Sequence, residues 1–259
     1  MRTAELVDDL GEPVPLAGPV SRAVSLVPSL TEAVEESAPG RLAGATDYCT
    51  HPSTLDVPRV GGSKYPDVDR ILALAPDLVL ANSEENRPED VQRLRANGIP
   101  VWVMAASPTV PAALGSLRRL LTQAYDLEEP GWLVEAEELW RPVPPVRFRA
   151  VVPVWRKPWI VLGRDTFAGD VLRRVGVANV YATDPERYPR PDLGELRAHF
   201  DADADLLVLP DEPYEFTATD GPEAFPDVQY VLISGRHLTW YGPSLVDAHS
   251  ALLEALASL

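Results

Sequence analysis

The chain has 259 residues, with 23 Lys and Arg against 39 Asp and Glu, a formal charge of −16 and one cysteine, Cys49. That charge argues against non-specific binding to nucleic acid or an anionic membrane surface, and a single thiol excludes an internal disulfide. A composition 46% hydrophobic and 24% charged excludes disorder along the whole length, and 27 prolines favour many short elements over a few long ones.

The opening residues carry Glu5, Asp8, Asp9 and Glu12 with little basic charge. They hold no unbroken apolar stretch of the secretory kind, and no apolar run anywhere is long enough to span a bilayer. A cytoplasmic chain without membrane insertion is therefore expected. Residues 23–27 read as a buried strand. Ser29 and Glu32 then stand at capping-box spacing, so a helix is expected to begin at Ser29. Residues 42–46 read as a strand followed by a polar loop through Asp47, Tyr48, Cys49 and His51. Residues 67–75 and 88–96 read as helices, and 78–81 and 101–104 as strands.

Residues 111–125 and 130–140 are helical by pattern, and Arg141-Pro142-Val143-Pro144-Pro145 is a stiff connector. Beyond it, 147–154 and 159–162 read as strands. A helix over 165–175 is capped by Asp165 and closed by Gly176. Residues 193–200 read as a helix, 206–209 and 228–233 as strands, and 244–259 as the final helix. Two segments echo each other: Asp77-Leu78-Val79-Leu80-Ala81 and Asp205-Leu206-Leu207-Val208-Leu209 each join an aspartate to an apolar strand and a polar loop. The echo suggests a duplicated arrangement.

The expected fold class is α/β: two lobes, each with a parallel-rich central sheet flanked by helices, joined by a helical backbone. The boundaries are an N-terminal extension over 1–20, an N-terminal lobe over 21–108, a helical connector over 109–145 and a C-terminal lobe over 146–259. Ligands of such sheets sit beyond the carboxyl ends of the strands. The loops there hold Tyr48, Tyr65, Trp155, Trp159, Tyr214, Trp240 and Tyr241, with Ser63 and Glu212 as polar groups. Aromatic side chains of this kind suit a broad, flat, largely apolar ligand, although they would equally cap the sheet ends. Lys64, Arg164 and Arg236 are candidates for holding anionic groups, or are solvated loop charges. Ser29 offers a hydroxyl at a helix N-terminus.

His51 and His237 are the histidines in candidate loops. They lack the spacing of a metal site, so no metal centre is expected, and either is at most a single axial ligand. Cys49 and His51, with Asp47, leave open an enzyme acting on a small molecule, but two residues apart in a loop is no recognised catalytic arrangement. The expectation is no catalytic residue.

The segment Arg22-Ala23-Val24-Ser25-Leu26-Val27-Pro28-Ser29-Leu30-Thr31-Glu32 resembles the N-terminal signature of the helical-backbone substrate-binding proteins of class III ABC importers. Gly44-Ala45-Thr46-Asp47-Tyr48-Cys49-Thr50-His51-Pro52 and Val60-Gly61-Gly62-Ser63 resemble loops of the cobalamin-binding branch. So do residues 71–80, Gly163-Arg164-Asp165-Thr166-Phe167 and Leu238-Thr239-Trp240-Tyr241-Gly242-Pro243. The resemblance implies a periplasmic-binding-protein fold and a cobalamin-type or other corrinoid ligand held in a cleft between the lobes. Haem, an iron–siderophore or a metal is the alternative cargo.

It also implies docking to a permease through an acid on each lobe. Asp69 stands where the first is expected, and no clear acid lies near Trp240 for the second. Family members join their lobes by a helix of about 20 residues or more, roughly 30 Å long, whereas residues 130–140 span only about 17 Å at the same rise.

Overall fold

The structure, a computed structural model, describes residues 6–200 and 204–259. These form two compact units. The first holds residues 6–106, 114–134 and 241–243, and the second holds 107–113, 135–200, 204–240 and 244–259.

In the first unit β1 (Ala23–Ser25), α1 (Pro28–Ser37), β2 (Leu42–Ala45), α2 (Val68–Ala73), β3 (Leu78–Asn82), α3 (Pro88–Ala96) and β4 (Val101–Met104) alternate. The strands pair in parallel in the order β2-β1-β3-β4. Every residue of the four is buried, as apolar runs covered on both faces require. Val24, Val79, Val101 and Val103 pack against Ile71 of α2 and Leu94 of α3.

The chain before β1 binds the outer edge of β4. Asp9 N donates to the Val103 carbonyl at 3.2 Å, and the buried Asp8 carboxylate accepts from Leu10 N, Glu12 N, Val103 N and Arg95. This covers backbone that an edge strand would otherwise expose. After β4 come α4 (Val110–Arg119), a π-helical turn (Leu120–Ala124) that continues it directly, and α5 (Gly131–Trp140).

The second unit contains β5 (Phe148–Val151), β6 (Pro153–Arg156), β7 (Trp159–Val161), α6 (Phe167–Arg174), β8 (Val177–Asn179), α7 (Leu193–Phe200), β9 (Leu206–Pro210), β10 (Tyr230–Ile233), α8 (Gly235–Thr239) and α9 (Ser244–Ala257). Its parallel sheet runs β10-β9-β5-β8, and β6 and β7 form a separate antiparallel hairpin. Read from its other edge, the sheet has the same strand order as the first.

The echoed aspartates repeat a bond as well as a pattern. Asp77 N donates to Arg22 O while its carboxylate accepts from Ser21 N and Arg22 N; Asp205 N donates to Arg149 O while its carboxylate accepts from Arg149 N. In both units the aspartate fastens the third strand to the first.

The structure corrects several local expectations. The Ser29–Glu32 capping box does not form: Pro28 takes a position in the first turn, the N-cap is Val27, and no side chain caps it. Proline's fixed φ and missing N–H favour that start. Thr166, not Asp165, caps α6, its hydroxyl accepting from Gly169 N; Asp165 adopts a left-handed φ of 52° instead. The strand expected over 147–154 divides into β5 and β6, the second turning away into the hairpin. β8 and α8 had no periodic signal, being three and five residues long.

Candidate functional site

In the first unit the loops at the carboxyl ends of the strands are tied by a buried polar chain. Asn82 ends β3, and its carboxamide donates to the Tyr241 phenol oxygen at 2.6 Å. The Ser29 side chain hydrogen-bonds the same phenol. Asn86 Oδ1 accepts from Asn82 N at 2.7 Å, and Asn86 Nδ2 donates to the Ser63 carbonyl at 2.8 Å. Ser29, Asn82, Asn86 and Tyr241 are all buried. Burial first, then the nearby Glu85, pushes the Tyr241 hydroxyl well above its ordinary range. Gly242 follows with no room for a side chain to spare, a Cβ there meeting the Ser29 carbonyl at 3.2 Å.

Around this frame lie the exposed groups. Tyr48 and Tyr65 each keep 65% of their surface open. The Tyr48 ring borders Gly62, 3.4 Å from where a Cβ would stand. Lys64 and Arg87 lie 5.9 and 4.7 Å from the centre of the Tyr65 ring, within cation–π reach. Glu85 is open to solvent by surface, yet the protein massed around it and the adjacent Glu84 push its carboxyl up to about 7.

Cys49 lies inside the fold, not on this surface. Its sulfur contacts the hydroxyls of Thr31 at 2.9 Å and Thr46 at 3.1 Å, and burial pushes the thiol up despite them. A buried, protonated thiol is a poor nucleophile. His51 Nδ1 bonds to the Thr50 hydroxyl at 3.1 Å.

In the second unit the β6–β7 hairpin carries Trp155 and Trp159 into an aromatic chain. Trp155 meets Tyr214 edge-on at 5.6 Å; Tyr214 meets Phe216 at 4.7 Å; Phe216 stacks on Trp159 at 6.2 Å and 7°; and Trp159 meets Phe225 at 5.4 Å. Arg156 lies 5.5 Å from the Trp159 ring and is held by Asp220 and Glu223, and Tyr214 donates to Asp220 at 2.7 Å. Trp155 stays 41% exposed at the end of the row. A depression of about 450 Å³ at the carboxyl ends of β9 and β10 reaches the row at Phe216 and is lined also by Asp211, Leu232 and Ser234 among others.

The structure thus gathers the expected residues into separate groups. Ser29, Ser63 and Tyr241 share one buried chain. Tyr48, Lys64 and Tyr65 share an exposed surface. Trp155, Trp159 and Tyr214 share a row. Trp240 and Tyr241, expected as loop aromatics, are both buried. Trp240 Nε1 donates to Glu212 at 3.2 Å with Arg236 at 5.8 Å from its ring. Burial makes both aromatics supports instead of contact surfaces.

Arg164 is exposed and pairs loosely with Asp165 at 3.7 Å. His237 lies within α8. Asp69 is paired with Arg93 at 2.5 Å. Among the described residues no three His, Cys, Asp or Glu side chains converge as a metal site does. Sequence reasoning missed the linking roles of Asn82 and Asn86 and the place of Phe216 and Phe225. Two asparagines at i, i+4 after an apolar strand were the available signal for the first.

Residues 24–139 match the family described as periplasmic binding protein. The Vitamin B12-binding protein of Vibrio cholerae is 23% identical over 190 residues, covering 69% of this chain and 67% of that protein. Among solved structures, the periplasmic vitamin B12 binding protein BtuF of Vibrio cholerae superposes with a TM-score of 0.70 at 19% identity, covering 93% of this chain and 98% of that one. The periplasmic heme-binding protein RhuT from Roseiflexus sp. RS-1, in apo form, has a TM-score of 0.70 at 20% identity, covering 92% and 99%. The α/β fold expected from the sequence agrees with these comparisons, and the fold is that of the periplasmic binding proteins among the solved structures.

Proposed function

We propose that this chain is a non-catalytic receptor for a broad, flat macrocycle, and that its ligand is a corrinoid. The observation that carries the reading is the aromatic row Trp155–Tyr214–Phe216–Trp159 at the carboxyl ends of the second sheet. Within the row Trp155 is open, Tyr214 and Trp159 are part-buried and Phe216 is buried, so Trp155 presents the face that suits a wide apolar ligand edged by polar groups and the others back it. Within the first unit Tyr48 and Tyr65 are exposed rings on its own strand-end loops. Relatives whose names specify vitamin B12 or haem support a macrocycle of this class.

The electrostatics favour neutral amides over carboxylates at the ligand edge. Two arginines beside the part-buried and exposed rings already hold carboxylates: Arg156, beside Trp159, with Asp220 and Glu223, and Arg87, beside Tyr65, with Asp90 and Glu89. A corrin ring edged with carboxamides needs hydrogen bonds, which the Glu212, Ser63 and Tyr214 loops offer. Haem needs its propionates neutralised, and a chain of charge −16 opposes that. Haem remains the second reading because of Tyr48 and Tyr65, whose exposed phenols are available to an iron.

A competition experiment separates the two. Protein loaded with cobinamide is challenged with hemin, and the Soret band is followed. Retention of cobinamide against equimolar hemin supports the corrinoid; displacement, with a tyrosinate-type iron spectrum lost in Tyr48→Phe or Tyr65→Phe, supports haem.

A further inference from the structure

A second groove follows the carboxyl end of β8 and shares no lining residue with the depression at β9 and β10. It has a volume of about 750 Å³ and runs between the 181–191 segment and one face of α7. It is built, not incidental: Val161 N donates to Pro189 O at 3.0 Å and Gly163 N to Arg187 O at 2.8 Å, so two backbone bonds fasten the 187–189 stretch to β7 and the residues after it. Gly163 is required there, since a Cβ would collide with the Glu186 carbonyl. α7 is fixed by a reciprocal pair, Asp192 N to Glu195 Oε2 at 2.8 Å and Glu195 N to Asp192 Oδ1 at 2.9 Å.

The lining is acidic and aromatic. Asp184, Glu186 and Glu195 contribute carboxylates against the exposed Arg190, and prolines 185, 189 and 191 contribute apolar wall. Tyr181 also lines it, 8% exposed, its ring edge-on to His199 at 4.8 Å. The Tyr181 hydroxyl is buried and has no hydrogen-bond partner among the described residues. A buried hydroxyl without a partner is costly. Tyr181 lines the groove together with Asp184 and Glu195, and burial first, then those two carboxylates, push its hydroxyl up to about 12. One oxygen of each carboxylate is occupied locally, by Glu186 N and Asp192 N, leaving the other for a ligand.

We propose that this groove binds a small alkylammonium ion, its N–H groups shared between the Tyr181 hydroxyl and the Asp184 and Glu195 carboxylates, its alkyl part against the prolines. Acceptors spread along a groove suit three divergent ammonium donors. They do not converge as a metal ion demands, and an aromatic ring beside a cation adds attraction.

The test is a calorimetric titration of the full chain with n-butylammonium and putrescine, at constant ionic strength, with tetramethylammonium as the cation lacking N–H donors. The expected result is saturable one-to-one binding of the primary amines, at least ten-fold weaker binding of tetramethylammonium, and a loss of about ten-fold in Tyr181→Phe, the equivalent of roughly 1.4 kcal/mol. Tyr181→Phe is also expected to melt no lower than the parent in the absence of amine, because it removes an unpartnered hydroxyl. Glu195→Gln, which keeps the cap geometry, should weaken the primary amines similarly. Equal affinity for tetramethylammonium, an unchanged affinity in Tyr181→Phe, or no saturation by either primary amine with folded protein would overturn the proposal.

Discussion

The carboxamide of Asn82 donates to the phenol oxygen of Tyr241 at 2.6 Å, although 159 residues separate them in the chain. This one bond returns the segment after α8 to the end of β3. Ser29 at the start of α1 reaches the same phenol, so two strand-end segments of the first unit meet at one buried oxygen. Tyr241→Phe keeps the ring and deletes the oxygen, leaving two buried polar groups without it. The expected cost is about 1–3 kcal/mol, read by urea unfolding. Asn82→Ala should cost a similar amount, and the double variant less than the sum, because the pair is lost only once.

Asp170 plays the corresponding part in the second unit. Its carboxylate accepts from Val110 N at 2.9 Å, Arg173 and Arg174, and Arg174 donates in turn to the Trp140 carbonyl. Burial alone would raise the carboxyl, but the bonds from Arg174, Val110 N and Arg173 hold it below its ordinary 3.8. The stability it contributes is therefore present above the ordinary carboxylate range and lost as pH falls through the lowered value. Asp170→Ala leaves Arg174 buried and unpaired. The expected loss is about 3–5 kcal/mol at pH 7, measured by thermal or urea unfolding.

Glu85 has the opposite sign. Its carboxyl is raised from the ordinary 4.5 to about 7, so between those values the folded state holds a proton that the unfolded chain releases. Stability should fall as pH rises from about 4.5 to 7 and flatten above. Glu85→Gln should flatten that window specifically. Urea midpoints at pH 5, 6, 7 and 8 decide it; parallel pH dependence in parent and variant would count against the shift. If the ligand contacts this loop, its affinity should change across the same window.

Trp155 and Trp159 occupy one aromatic row but differ in burial. Trp155 is 41% exposed, whereas Trp159 is inserted between Phe216 and Phe225. Trp155→Ala should cost little stability and weaken ligand binding by roughly thirty-fold, the equivalent of a 2 kcal/mol hot spot. Trp159→Ala should destabilise the fold by about 3–5 kcal/mol. Unfolding curves run beside binding isotherms separate the two effects.

The strands and longer helices were legible because burial on both faces makes apolar runs such as Leu78–Asn82, and because a helix of eight or more residues shows its period. α3, β4 and α7 match their expected bounds for that reason. The echo of Asp77 and Asp205 was legible too, since the same strand-fastening bond demands the same residue. What escaped notice depended on partners distant in sequence. Asn82 and Asn86 look like ordinary loop asparagines until Tyr241 and Ser63 are brought to them. Nothing local marks Trp240 and Tyr241 as buried and Tyr48 and Tyr65 as exposed, because each stands in a short irregular segment. The capping box at Ser29 misled because Pro28, the stronger helix starter, stands one residue earlier.

The measurement that bears most directly on the central claim is calorimetric titration of the purified chain with hydroxocobalamin and cobinamide, repeated on Trp155→Ala. Saturable one-to-one binding by the parent, weakened in the variant while its melting temperature holds, is the predicted result. A folded parent that binds neither corrinoid, or a variant that binds both as tightly as the parent, would contradict the account.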